Sequence, residues 1–199
     1  MRHNANISKA PLADFVYLKY GYPFRGAMQS IPGGSAQVLQ LKDITTDGIV
    51  NWSNLTKTDL PGRKDREWLS DGDILLMARG TRTQAVYLSN VPEFVVCSPH
   101  FYILRVKSKG RLLPKFLCWQ LNQKTVQSYF KNLGQGSSQH SLNRSLIESV
   151  EVVVPSIEKQ IQILNLVSCA EQELAALEKL VQNRHTQLDF IAQNILQRT

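Results

Sequence analysis

The chain has 199 residues, 43% of them hydrophobic and 20% charged, which excludes a disordered polymer and leaves room for one core of ~150 residues plus an appendage. Its net charge of +7 is uneven: residues 1–155 carry 19 Lys/Arg against 11 Asp/Glu, or +8, and residues 156–199 carry 4 against 5, or −1. The first part therefore suits a polyanion partner and the second a protein partner.

The opening MRHNANISKAPLADF lacks the apolar centre of a signal peptide, and no apolar run approaches the ~20 residues of a membrane span. Cys97, Cys118 and Cys169 are odd in number and widely spaced, as in a reducing compartment. A cytoplasmic chain with no membrane partner is expected. Leu12 to Lys19 is a short apolar stretch, and Gly21-Tyr22-Pro23-Phe24-Arg25 turns the chain. After a second turn at Ile31 to Ser35, Ala36 to Ile44 alternates in a strand-like way, and Thr46-Asp47-Gly48 turns into Ile49 to Trp52.

The polar segment Lys57 to Trp68 places Lys57, Arg63, Lys64 and Arg66 close together, as a solvated loop or a phosphate-contacting one. Leu69 to Met77 is a turn feeding a buried strand, which opens into Ala78-Arg79-Gly80-Thr81-Arg82-Thr83-Gln84 before another strand at Ala85 to Leu88. A loop held between strands and carrying Arg79, Thr81, Arg82 and Gln84 has the chemistry to read DNA: guanidinium groups fork onto guanine or phosphate, and glutamine pairs with adenine. A plain surface hairpin is the alternative.

Phe94 to Lys107 predicts two strand segments with a bend at Pro99. Pro114 opens a helix that the apolar spacing carries to about Phe130, with Trp119 and Tyr129 as core or interface residues. Gly134 to Ser141 is rich in glycine and serine, so Ser137, Ser138 and Gln139 form a second candidate contact loop that could approach a nucleic-acid backbone; a plain flexible loop is again the alternative. Leu142 to Glu148 predicts a short helix and Val150 to Val154 a last strand.

From Ser156 to Thr199 there is neither proline nor glycine. Stepping by threes and fours from Gln160 gives Ile163, Val167, Ala170, Leu174, Leu177, Val181, Arg184, Leu188, Ile191 and Ile195, a seam with a 3.5-residue period. Such a helix extends roughly 60 Å at 1.5 Å per residue, about twice the diameter of a small domain, so most of it cannot be covered by its own chain. Arg184 is either a polar register marker within the seam or a residue turned to solvent. The fold class expected is α+β: a mixed globular domain over 1–155, then a long C-terminal coiled-coil helix over 156–199.

Catalytic signatures are missing. No Asn/Asp-Pro-Pro-Tyr/Phe strand of an adenine methyltransferase is present, and Gly33-Gly34-Ser35 lacks the lysine of a phosphate-binding loop. Asp71 and Asp73 read as turn chemistry rather than as a magnesium site. Cys97-x-x-His100 has no second close pair to complete a zinc site, and no serine sits in a nucleophile turn. Neither a metal nor another cofactor is expected.

Taken in order, Gly21-Tyr22-Pro23-Phe24, Gly72-Asp73-Ile74-Leu75, Gly136-Ser137-Ser138-Gln139 and the stretch Pro155 to Ile163 resemble the specificity subunit of type I restriction-modification systems. The last is similar to that family's Pro-Pro-x-x-Glu-Gln-x-x-Ile, departing from it with Ser156 for the second proline and Lys159 inserted before Gln160. The resemblance implies a non-catalytic DNA reader with two target recognition domains and two antiparallel helices that set the distance between half-sites, recruiting methylation and restriction subunits. One domain and one helix here imply a half-subunit that pairs with itself through Ile163, Val167, Leu174, Leu177, Val181, Arg184, Leu188, Ile191 and Ile195 and reads double-stranded DNA at a palindromic bipartite site. A basic adaptor without sequence-specific recognition is the competing reading.

Overall fold

The structure, a computed structural model, describes residues 8–24, 26, 28–60, 66–78, 83–107, 110–133 and 142–196. The chain divides into two compact units, Met1–Ile157 and Glu158–Thr199. In the first, strand β1 (Ser8–Pro11) leads through the single turn α1 (Leu12–Phe15) into β2 (Val16–Tyr20), β3 (Ala36–Leu39) and β4 (Thr56–Thr58). Strands β5 (Ile74–Met77), β6 (Ala85–Tyr87), β7 (Val95–Cys97) and β8 (Phe101–Val106) follow, then helices α2 (Pro114–Leu121), α3 (Lys124–Leu133) and α4 (Arg144–Glu148), and strand β9 (Glu151–Val154).

The strands form a four-stranded sheet ordered β2-β8-β5-β6, a three-stranded sheet ordered β4-β3-β7, and the pair β1-β9. The larger sheet is antiparallel throughout, whereas β3 and β7 run parallel, Val38 opposite Val96. Between the two larger sheets lies the main core, with Leu75, Met77, Phe101 and Ile103 from one and Leu39, Val95 and Cys97 from the other. Each buried side chain of this size contributes roughly 1.5–3 kcal/mol over its exposed state. Pairing of Ser8 with Val154 and of Pro11 with Glu151 brings the start of the described chain against the last strand.

Two polar features, one of them buried, tie the strands to their neighbours. Asp73 is 1% exposed; its carboxylate accepts from Arg105 Nε and Nη2 at 2.7 Å each and from the Ser70 amide at 3.0 Å. The Arg105 guanidinium, raised above its ordinary range by that hydrogen bonding, also donates to the Trp68 carbonyl at 3.1 Å. The second feature is a pair of amide clamps on α2 and the residue after it. Gln120 accepts from the Val153 amide at 2.8 Å and donates to its carbonyl at 3.0 Å. Asn122 does the same for Ala85, at 2.9 and 2.8 Å. Each clamp satisfies backbone groups on the outer edge of a strand, which would otherwise remain unpaired.

The Asn122 clamp explains one departure from the sequence expectation. The helix predicted to run to about Phe130 is two helices, broken at Asn122 and Gln123. The Asn122 backbone N–H still bonds to the Cys118 carbonyl at 3.2 Å while its side chain turns to β6, and Gln123 donates its side-chain amide to the Trp119 carbonyl at 2.9 Å. Likewise the strand expected to reach Ile44 ends at Leu39, because the Asp43 carboxylate accepts from the Gln40 amide at 2.8 Å and closes a 3-10 turn over Leu41–Asp43.

In the second unit, helix α5 (Ile157–Leu196) runs 40 residues. Gln160 is buried and Ile163 and Val167 are half-buried. Beyond them the apolar seam is open, with exposures from 51% at Leu177 to 66% at Ile195. Arg184 is exposed too and donates to Gln187 Oε1 at 3.1 Å. No helix among the described residues is long and apolar enough to cross a membrane.

Two substitutions test this frame. Asn122→Ala strands the Ala85 amide and carbonyl, and the expected cost of about 2–4 kcal/mol appears as a melting temperature lower by roughly 4–16 °C. Gly21→Ala forces a methyl group to within 2.0 Å of the Ser98 carbonyl oxygen, where the Gly21 and Tyr22 amides bond to Phe101 and Cys97; denaturant titration is expected to show a loss of at least about 1–3 kcal/mol.

Candidate nucleic-acid interface

Of the residues predicted to touch DNA, Arg79, Thr81, Arg82, Arg63, Lys64, Ser137, Ser138 and Gln139 lie outside the described residues. What the structure gives is the framework that presents their segments. Residues 79–82 leave the end of β5, where the Met77 amide donates to the Gln84 carbonyl at 2.9 Å and the Ala78 amide to the His100 carbonyl at 2.8 Å. Residues 134–141 return to the fold at Leu142, and the Leu142 amide donates to the Ala78 carbonyl at 3.0 Å. The two candidate contact loops, far apart in sequence, are thus rooted on adjacent backbone atoms.

Around that root stand side chains that the sequence reading passed over. The Tyr102 hydroxyl donates to the Leu142 carbonyl at 3.2 Å, and its ring lies 4.9 Å from that of Tyr20. Tyr20 is 54% exposed, and His100 is exposed as well. Arg144 pairs with Glu148 at 2.7 Å; that carboxylate, and less strongly the Tyr20 hydroxyl, raise its guanidinium above the ordinary range. A second exposed aromatic on β2, Tyr17, has the Lys107 ammonium 5.4 Å from its ring centre. Basic groups beside open aromatic faces suit phosphate contact combined with base or sugar packing. Their signal in the sequence was the alternation of Tyr17, Lys19 and Tyr20 at the end of a stretch read simply as apolar.

Of the predicted contacts on this segment, Gln84 is described. Its Nε2 donates to the Thr46 carbonyl at 3.2 Å, and it lies beside Gly48, whose φ is +79°. Its Oε1 is buried without a hydrogen-bond partner among the described residues. Lys57 is exposed on β4 opposite Gln37, as a phosphate contact requires. Arg66 donates to the Leu60 carbonyl at 2.6 Å and lies 5.7 Å from the Trp68 ring centre.

The acidic and thiol residues weighed as chemistry serve the fold. Asp71 accepts from the Val91 amide at 2.8 Å, and Asp73 is the partner of Arg105. Burial raises the Cys97 thiol well above its ordinary range and pushes Cys118 up to about 12, which keeps both protonated and unreactive. Among the described residues no group of three or more His, Cys, Asp or Glu is placed to hold a metal ion.

Comparison with known proteins agrees with this architecture. The chain is 24% identical over 175 residues to the type I restriction enzyme StySPI specificity subunit of Salmonella potsdam, covering 84% of this chain and 37% of that protein. It is similar in fold to the type I restriction-modification S subunit of M. genitalium, with a TM-score of 0.56 at 20% identity over 92% of this chain and 43% of the other. The HsdS subunit of Thermoanaerobacter tengcongensis gives a TM-score of 0.62 at 15% identity, over 90% of this chain and 41% of the other. A structure concerned with complex assembly and conformational transition of the type I R-M system gives 0.69 at 14%, over 98% and 50%. The chain thus spans half or less of the length of each of these relatives. A family model for the type I restriction modification DNA specificity domain matches residues 18–184, spanning the β-rich unit and most of α5, and the chain belongs to that family.

Proposed function

We propose that this chain supplies one half of the DNA recognition of a type I restriction-modification system, with residues 1–155 reading one half-site and residues 156–199 pairing with the same helix of a second copy. The pair acts by recognition, without a catalytic site or cofactor of its own, and brings methylation and restriction subunits to a palindromic bipartite sequence in cytoplasmic DNA. The observation that carries the pairing is the open seam of α5, more than half exposed from Leu174 to Ile195 apart from the polar position Arg184. A solitary helix with that apolar stripe is stabilised by lengthwise packing against another helix, and a twofold contact covers the same stripe on both copies and closes.

For the DNA, Arg79, Thr81, Arg82 and Gln84 on one segment and Ser137, Ser138 and Gln139 on the other are proposed to contact bases and backbone. The bond between Ala78 and Leu142, which flank the two segments, supports their acting as one surface, with Tyr20, His100 and Arg144 nearby. Lys57, Arg63 and Lys64 are proposed phosphate contacts.

Sedimentation of the full chain at micromolar concentration is expected to show a dimer; a monomer would overturn the pairing. Lys57→Ala is expected to weaken binding to target and random duplex alike and to flatten the log affinity against log salt slope by about 0.9. Arg82→Ala is expected to relax sequence preference by about 1–3 kcal/mol at its position. Equal binding of target and random duplex by the native chain, with the methylation subunit present, would favour a non-specific adaptor and sink the recognition reading.

A further inference from the structure

On α5 the glutamates of the middle and the arginine that follows them have no opposite charge three or four residues away. Glu171, Glu173 and Glu178 lie in its middle, and Arg184 and His185 follow them. Opposite charges three or four residues apart stabilise an isolated helix. Yet the positions three and four from Arg184 hold Leu180, Val181, Gln187 and Leu188, and those around the three glutamates hold no lysine or arginine. Arg184 bonds only to the neutral Gln187, at 3.1 Å, and sits on the apolar seam at an exposed position. A cation on a stripe destined for burial needs an acid from outside its own helix.

We propose that Arg184 of each copy pairs with Glu171 and Glu178 of an antiparallel second copy, and that this contact fixes the register of the two helices. This rests on the homodimer reading above. When the helices run antiparallel with Arg184 facing Leu174, the twofold axis passes near residue 179. By the 1.5 Å rise per residue, Arg184 then lies about 4.5 Å along the axis from Glu171 of the second copy and about 6 Å from its Glu178. An arginine side chain spans either gap. Leu188 faces the small Ala170 in this arrangement, and Gln160, already buried within the chain, falls outside the paired span.

The neighbouring arrangements are worse on charge. Sliding by one heptad in one direction sets Arg184 opposite Val167, where Glu171 takes the place of Glu178 and Leu164 that of Glu171, leaving one acid in place of two. Sliding the other way sets the two Arg184 side chains within one helical turn of each other. Parallel pairing in register stacks Arg184 on Arg184 and sets Glu173 beside Glu178 of the second copy. Like charges at such positions select against an alignment, so a single arginine chooses both direction and register.

The test uses the full chain with the exposed Cys169 replaced by serine. Two variants, L177C and V181C, are oxidised separately and as a co-expressed mixture. The proposed register sets residue 177 opposite 181, so a disulfide is expected only in the mixture; residues 177 of the two copies are offset too far along the axis for a bond. In parallel, R184E is expected to weaken self-association at least tenfold with helix content unchanged, and mixing it with an E171K/E178K chain to restore association. Cross-linking of L177C with itself, or undiminished association of R184E, would overturn the register while leaving the dimer standing. A monomeric native chain would remove both.

Discussion

The buried carboxylate of Asp73 is the constraint on which the recognition unit depends. An aspartate that is 1% exposed is tolerated only when its charge is matched and its lone pairs are filled, and Arg105 and the Ser70 amide do both. The consequence reaches well past the pair. Arg105 belongs to β8 and holds the Trp68 carbonyl as well, while the Asp73 amide and carbonyl bond to Ser70 and Leu88. One carboxylate therefore sets the start of β5, the neighbouring strand β8, the end of β6 and the chain leading in. Once the start of β5 is fixed, so is its end, Met77 and Ala78, where the Arg79 to Arg82 segment leaves the sheet.

The amides of Gln120 and Asn122 extend that control to the sheet edges. Exposed strand edges are open to pairing with other chains, and here one helix end closes two of them, Ala85 on β6 and Val153 on β9. The same economy operates at Ala78, whose amide and carbonyl are both engaged, by His100 and by Leu142. Both neighbours of the candidate contact segments are thereby fixed in the fold.

Much of this was legible in the residues, and the reason is local. The Gly72-Asp73 turn before an apolar run announces β5, and the sustained 3.5-residue period announces α5, because both signals lie within a few neighbouring side chains. What stayed hidden was tertiary. Nothing near Asn122 in the chain says that its side-chain amide will reach across to Ala85, and Gln84 offers the same chemistry to adenine and to the Thr46 carbonyl. The meeting of Ala78 with Leu142 depends on strands that close far apart in sequence.

The two units answer to different physics. Residues 1–155 carry the whole basic excess and build their own core, so they can present charge to a polyanion without help. Helix α5 is nearly neutral and carries an exposed apolar stripe, so lengthwise packing against a second helix would stabilise it. Under the proposed function, a unit with its own core joined to a helix that needs a second helix would separate what is read from how far apart the readings are taken. A substitution at residues 79–84 would then alter the sequence recognised, whereas a substitution in the seam would alter spacing or pairing.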